Sequence, residues 1–216
     1  MNALIENFDL ILDGFVQTLK LLLVSGAIAL VLGTVIAVAR VSPVPVLRGV
    51  AIAYVSVFRN TPLVVLLLLT YFGLPEIGIR FEFFTLVVMA MGIYTAAFIA
   101  EAIRSGVNGV ELGQAEAARS IGLAFGQTMT QVILPQSFRL VVPPIASVLI
   151  ALTKNTSLAS GFGIAEATFR QSGLLRDYAG ERLAIFVGIA LGYIIIVETI
   201  SFAASRFERR WAVTST

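Results

Sequence analysis

The stretch FVQTLKLLLVSGAIALVLGTVIAVA, residues Phe15 to Ala39, carries one charge, Lys20, close to one end. Crossing the hydrocarbon core of a bilayer takes about 20 mostly apolar residues, because an α-helix rises about 1.5 Å per residue. The stretch is therefore predicted to span a membrane as a helix. Working outward along the chain, Phe83 to Ile103 and Leu183 to Ser205 have the same character. Two further stretches are long enough but interrupted. Leu47 to Phe72 contains Arg59-Asn60-Thr61-Pro62, and Phe138 to Ala159 contains Pro143, Pro144 and Lys154. Ser42-Pro43-Val44-Pro45, Gly73-Leu74-Pro75 and Gly161-Phe162-Gly163 read as the turns between spans. The predicted fold class is an all-α integral membrane protein of five transmembrane helices. It forms a single domain over residues 1–216, with no internal repeat or low-complexity tract.

Composition supports that class. Of 216 residues, 58% are hydrophobic and 13% charged, with a mean hydropathy of +0.94. Soluble domains average about 45–50% apolar and about 25% charged. Histidine and cysteine are both absent. That removes thiolate and imidazole metal sites, disulfides, cysteine nucleophiles and a Ser-His-Asp triad. The only lysines are Lys20 and Lys154, and neither follows a glycine. A G-x-x-x-x-G-K-[ST] phosphate loop is therefore impossible here. Any ATP used in transport binds another polypeptide. Glu6, Asp9 and Asp13 stand where a cleavable signal peptide would be basic, so none is expected.

Lysine and arginine placement sets orientation. With five spans, Arg40, Arg48, Arg104, Arg119, Arg139, Arg206, Arg209 and Arg210 fall on one side, against Arg80, Arg170, Arg176 and Arg182 on the other. Eight against four puts the N-terminus outside and the C-terminus in the cytoplasm.

The longest polar connection, about 104–137, is then cytoplasmic. Glu111 to Ile121 is rich in helix formers, and Gly122 ends that helix as a glycine beyond the last turn does. A second short helix is predicted from Ala124 to about Ile133, closed by Pro135, whose predecessor is pushed out of the α region. Ala117 and Ala118 leave one face flat, and Leu123 and Phe125 put apolar groups beside the bend. Such a surface suits a groove on a partner protein, or packing on the chain's own bundle.

The spacing Glu116-Ala117-Ala118, three residues, Gly122, nine residues, then Val132-Ile133-Leu134-Pro135 resembles the EAA loop of binding-protein-dependent ABC import permeases. Val132 stands where isoleucine is usual. Arg59-Asn60-Thr61-Pro62-Leu63 resembles the R-[GN]-T-P-L segment of the polar amino acid branch. Tyr94-Thr95-Ala96, Ala100-Glu101, Arg104-Ser105-Gly106-Val107, Leu134-Pro135-Gln136 and Leu152-Thr153-Lys154-Asn155-Thr156-Ser157-Leu158 resemble further segments of that branch. The resemblance covers roughly 10–210. Asn60, the run Gln114 to Ser120, and Lys154-Asn155 are most similar to glutamate uptake permeases of actinobacterial type. It implies a type I ABC importer permease (MetI-like) bundle, not itself an enzyme, in a bacterial plasma membrane. It also implies a dimeric ATP-binding subunit carrying ATP and Mg, a second permease copy or paralogue, and an extracytoplasmic amino-acid-binding protein. Glu116, Ala117, Ala118, Gly122, Leu123, Phe125, Leu134 and Pro135 would form the ATPase-coupling loop.

Ionisable groups in the bilayer face protein or a watered path. Arg59 lies roughly 18 Å into its span at 1.5 Å per residue, near the midplane. It lines a substrate path with Asn60 and Thr61, or pairs with a carboxylate of this or a partner subunit. Lys154, Asn155, Thr156 and Ser157 either receive an amino-acid substrate or anchor the helix, their hydroxyls bonding their own turn while Lys154 snorkels outward. Lys20 is expected to snorkel, Glu101 to pair with Arg104 one turn on, and Glu198 to make a buried helix–helix hydrogen bond. Gly26, Gly33 and the Gly188-x-x-x-Gly192 spacing allow close helix approach, within the bundle or across a dimer. A secondary transporter driven by an ion gradient and a non-transporting membrane scaffold are the competing classes. Five spans without an inverted repeat fit the first poorly.

Overall fold

The computed structural model describes residues 2–211, which form helices and short turns with no strand among them. They are α1 (Asn2–Glu6), α2 (Phe8–Val41), α3 (Pro45–Asn60), α4 (Leu63–Glu76), α5 (Phe83–Asn108), α6 (Leu112–Ser120), α7 (Phe125–Phe162), α8 (Ala167–Asp177) and α9 (Arg182–Trp211). Arg210 is described by its backbone alone. Four of these helices, α2, α5, α7 and α9, are each long and apolar enough to cross a membrane.

α5 is the central helix. Its Leu86, Met91, Ala96, Ala97, Ile99 and Ala100 are fully enclosed. α2 lies against it at a distance that side chains would forbid. A Cβ on Gly33 would stand 2.7 Å from Ile99, and one on Gly92 would stand 2.7 Å from Ile28. Gly26, also expected to allow close approach, meets Leu149 only at 3.6 Å, an ordinary contact. Gly188 and Gly192 of α9 receive Leu4 and Phe15 of the same chain, so that small-residue pair serves the bundle's own packing.

The stretch predicted as one span over 47–72 is two helices, α3 and α4, bent by 99°. Pro62 has no N–H to donate and pushes Thr61 into an extended conformation (φ −100°, ψ 130°), so the helix cannot continue. Side chains add bonds to carbonyls of the last turn. Asn60 donates its amide to the Ser56 carbonyl at 2.7 Å, and the Thr61 hydroxyl donates to the Val57 carbonyl at 2.9 Å. Tyr54 pins α3 to α5 by donating to the Ile93 carbonyl at 2.6 Å.

The separate helix expected over 124–133 is instead the beginning of α7. Thr128–Ile133 is a π-helical stretch running directly into the span. The wider π turn takes Pro135 without a break, because it moves the carbonyl that the proline ring would strike in a regular helix. α7 ends in a 3-10 turn, Thr156–Phe162, closed by Gly163 at φ +77°.

Lys20 is exposed, in keeping with a snorkelling side chain. Glu198 is exposed as well, on the face of α9 that carries Leu191, Ile194, Ile195 and Phe202. The buried helix–helix bond expected of Glu198 does not form within this chain, because that face of α9 turns away from the bundle.

At the end of the bundle opposite α6, Glu166 fastens α8 to two spans. Its fully buried carboxylate accepts from the Phe169 N–H at 2.8 Å, the Thr168 N–H at 3.0 Å and the Tyr193 hydroxyl of α9 at 2.7 Å. The Thr18 hydroxyl of α2 accepts from the Ala167 N–H at 3.2 Å. Burial pushes the Glu166 carboxyl up from its ordinary 4.5, against the opposing pull of the Thr168 N–H and the Tyr193 hydroxyl.

Two outcomes follow for the detergent-solubilised protein. Gly33→Leu is expected to lose about 1–3 kcal/mol through overpacking, lowering Tm, whereas Gly26→Ala leaves Tm nearly unchanged. A carboxyl whose folded pKa lies above its unfolded one stabilises most when protonated, below 4.5, and that contribution is lost as pH rises through the folded value. The Tm of Glu166→Gln relative to the parent is therefore expected to rise between pH 4.5 and neutrality. A gap that does not change with pH would show that Glu166 is not the titrating group.

Candidate functional site

The connection between α5 and α7 is built by local chemistry. α6 ends with Gly122 at φ +86°, a left-handed conformation that costs other residues about 1–2 kcal/mol. The Gly122 N–H bonds the Arg119 carbonyl at 2.9 Å and the Leu123 N–H bonds the Ala118 carbonyl at 3.1 Å, a Schellman closure. The Gln127 side chain then accepts from the Ala124 N–H at 3.0 Å, starting α7. Ala118, Thr128 and Ile133 are buried and hold the segment on the bundle, while Leu123 is half-buried. Glu116, Ala117, Leu134 and Pro135 are exposed. So are Leu112, Ile121 and Phe125, at 81%, 79% and 62%. The segment therefore turns an apolar surface outward, while Ala118, Thr128 and Ile133 pack inward.

Above that segment lies a charged cluster. Glu101 of α5 bonds Arg40, in the last turn of α2, and Arg104, one turn along α5, at 2.5 and 3.1 Å. The third cation, Arg59, stands 3.8 Å from the same carboxylate and is 43% exposed. Its guanidinium lies 5.6 Å from the centroid of the Phe98 ring, a cation–π distance. Three guanidinium groups thus share one carboxylate, leaving positive charge in excess. The cluster faces a cleft of about 450 Å³ lined by Arg40, Ser56, Arg59, Asn60, Phe98 and Glu101. A second cleft, of about 410 Å³, joins Arg40 and Arg104 to Asn108, Phe125 and Met129 at the connecting segment. On the other side of Phe98 is a small pocket of about 100 Å³ lined by Tyr94, Thr95, Leu152 and Asn155.

The two polar segments singled out from sequence meet at Phe98, which borders both the Arg59 cleft and the Asn155 pocket. Arg59 and Asn60 line the first; Asn155 lines the second. Thr61 is occupied in closing α3. The Thr156 hydroxyl donates to the Thr153 carbonyl at 2.6 Å, and that of Ser157 donates to the Lys154 carbonyl at 2.7 Å. Both follow the helix-anchoring pattern. Lys154 is exposed and lines none of these three spaces. Arg59 sits in the last turn of α3 beside Arg40, not midway along a straight span. Sequence reasoning paired Glu101 with Arg104, a pair that forms, and missed Arg40 and Phe98. A signal for Arg40 was present: it ends the first span where Glu101 approaches the end of the third, so the two residues fall at the same end of the bundle.

Residues 29–213 match the family described as binding-protein-dependent transport system inner membrane component. The chain is 37% identical to the glutamate transport system permease protein of Corynebacterium glutamicum, covering 94% of each chain. It is 35% identical to a probable glutamine ABC transporter permease protein of Bacillus subtilis, covering 97% of each. Among solved structures, it is similar to a chain of an amino acid ABC transporter crystallised with histidines, with a TM-score of 0.89, 34% identity and 96% of each chain covered. A chain of the inward-facing methionine transporter MetNI shares the fold at a TM-score of 0.76 and 23% identity, covering 96% of this chain and 99% of that one.

Gly122→Val tests the turn. Forcing a β-branched residue to positive φ is expected to raise amide exchange over 118–124 about tenfold, the equivalent of about 1.4 kcal/mol, without altering exchange in α5.

Proposed function

The chain belongs to the binding-protein-dependent transport system inner membrane components, and on that premise we propose that it is the permease of an ABC importer taking up a polar amino acid, glutamate first, by ATP-driven alternating access. It is a multi-pass membrane subunit and not an enzyme; ATP hydrolysis belongs to a separate subunit. The observation that carries the substrate reading is the excess guanidinium charge at the Arg59 cleft, which suits a ligand with more carboxylate than ammonium. The similar permeases for glutamate and for glutamine support the same class.

In this reading Arg59, Asn60 and Asn155 line the path. Thr61, Lys154, Thr156 and Ser157 shape the helix ends that border it. Glu116, Ala117, Ala118, Gly122, Leu123, Phe125, Leu134 and Pro135 form the surface that enters a cleft on the ATP-binding subunit. ATP and Mg reside on that partner dimer. One chain supplies half of a pathway, so a second permease, identical or paralogous, completes it. A liganded extracytoplasmic binding protein delivers the amino acid. The N-terminus and α8 face outward, and α6 faces the cytoplasm.

Co-reconstitution with the ATP-binding subunits and the binding protein tests this reading. Glutamate is expected to stimulate hydrolysis and uptake more than glutamine or arginine. Arg59→Met is expected to lower glutamate uptake at least tenfold; a fully active variant would sink the path assignment. Uptake that follows an ion gradient and ignores ATP would favour a secondary transporter. Because the chain has no cysteine, orientation is read directly. An impermeant maleimide is expected to label Ser172→Cys in intact cells and Ser120→Cys only in inverted vesicles.

A further inference from the structure

We propose that Glu101 is a positioning residue for transport, whose carboxylate ties the connecting segment between α5 and α7 to the helix break that carries Arg59. The proposal rests on the reading of that segment as the surface driven by the ATP-binding subunit.

The carboxylate divides its two oxygens among three helices. Oε1 accepts from Arg104 of α5, through Nε at 3.1 Å and Nη2 at 2.5 Å. Oε2 accepts from Arg40 of α2 and faces Arg59 of α3 at 3.8 Å. Arg40 and Arg104 also wall the cleft into which Phe125 and Met129 project from the connecting segment. A displacement of Phe125 across this cleft would meet these two guanidinium groups. Both are largely shielded from solvent, with side chains 16% and 33% exposed. A partly buried cation that leaves its carboxylate goes unpaired, which is strongly unfavourable. The cluster consequently moves as a unit and does not come apart.

What it moves is Arg59, the least tightly held and most exposed of the three. Arg59 sits just before the Thr61-Pro62 break, where the Asn60 and Thr61 side chains bond the Ser56 and Val57 carbonyls. That junction lacks a continuous backbone ladder, so turning α3 about it works chiefly against the Tyr54 hydroxyl bond to the Ile93 carbonyl. Phe125 shares a cleft wall with Arg40 and Arg104, which pair with Glu101, and the same carboxylate faces Arg59, which lies over the ring of Phe98. Glu101 is the one member shared by all three cations.

The test uses the complete transporter in proteoliposomes, with its ATP-binding subunits and binding protein. The substrate is whichever of glutamate, glutamine and arginine stimulates hydrolysis most. The readout is the ratio of amino acid imported to ATP hydrolysed, which a simple loss of folded transporter does not change. Glu101→Gln is expected to lower that ratio at least tenfold, and Glu101→Asp, which keeps the charge on a shorter stem, to recover part of it. Should Glu101→Gln fail to assemble, the double variant Arg40→Gln with Glu101→Gln removes one charge of each sign. It is expected to assemble and remain uncoupled. A parental ratio in either assembled variant overturns the proposal. Gly122→Pro separates the two levels. If it uncouples while Glu101→Gln does not, the proposal alone falls. If Gly122→Pro also keeps the parental ratio, the reading of the connecting segment falls and the proposal with it.

Discussion

A peptide N–H or C=O without a partner costs several kcal/mol in hydrocarbon, and that constraint accounts for each place where this bundle departs from straight helices. At the α3–α4 junction Pro62 withdraws a donor, and the Asn60 and Thr61 side chains add bonds to the Ser56 and Val57 carbonyls of the last turn. In α7 the π stretch Thr128–Ile133 carries the helix past Pro135. Where α7 narrows to a 3-10 turn, the hydroxyls of Thr156, Ser157 and Ser160 bond the carbonyls of Thr153, Lys154 and Ser157, three residues back. The polar residues around these proline and glycine positions thus hold the backbone together, and this limits how many of them are free to meet a ligand.

The same low-dielectric surroundings govern the charges. Glu101 persists near the end of α5 because three cations from three helices converge on it. Glu166 persists at the other end because two backbone N–H groups and a tyrosine hydroxyl point at it. One carboxylate gathers guanidinium groups, leaves positive charge over and faces a cleft. The other is satisfied by neutral donors and fastens α8. The two carboxylates thus mark opposite ends of the bundle, one facing an open cleft and the other enclosed beneath α8. Close packing of α2 on α5, made possible by Gly33 and Gly92, gives both ends a rigid support.

The all-helical apolar class and the existence of a structured polar segment were legible in the chain itself, because each depends on short-range pattern. Gly122 shows how far such reading reaches. A glycine after a run of helix formers was enough to place the end of α6, since the Schellman closure is a local device. Pro135 and Pro62 show where it stops. Both prolines are helix breakers by the same rule, yet one is absorbed by a π turn and the other bends the chain by 99°. The difference lies in what packs around them. Arg59 was visible as a costly charge, and the pairing with a carboxylate of its own chain, one of its two readings, is the one the fold provides through Glu101.

By itself, then, the sequence determined a multi-span helical membrane protein without catalytic groups, the position of its connecting segment, and the two polar segments that border the clefts. Hydropathy, the missing histidine and cysteine, and turn chemistry are properties of consecutive residues, so no tertiary knowledge was needed. The tertiary structure alone decided that Arg40, Arg59 and Arg104 share Glu101, that Phe98 borders both clefts, and that Glu198 faces away from the bundle. Those facts depend on which helix faces which, and on the angle at one proline. A helical face is set by packing across the whole bundle, and no local pattern encodes it.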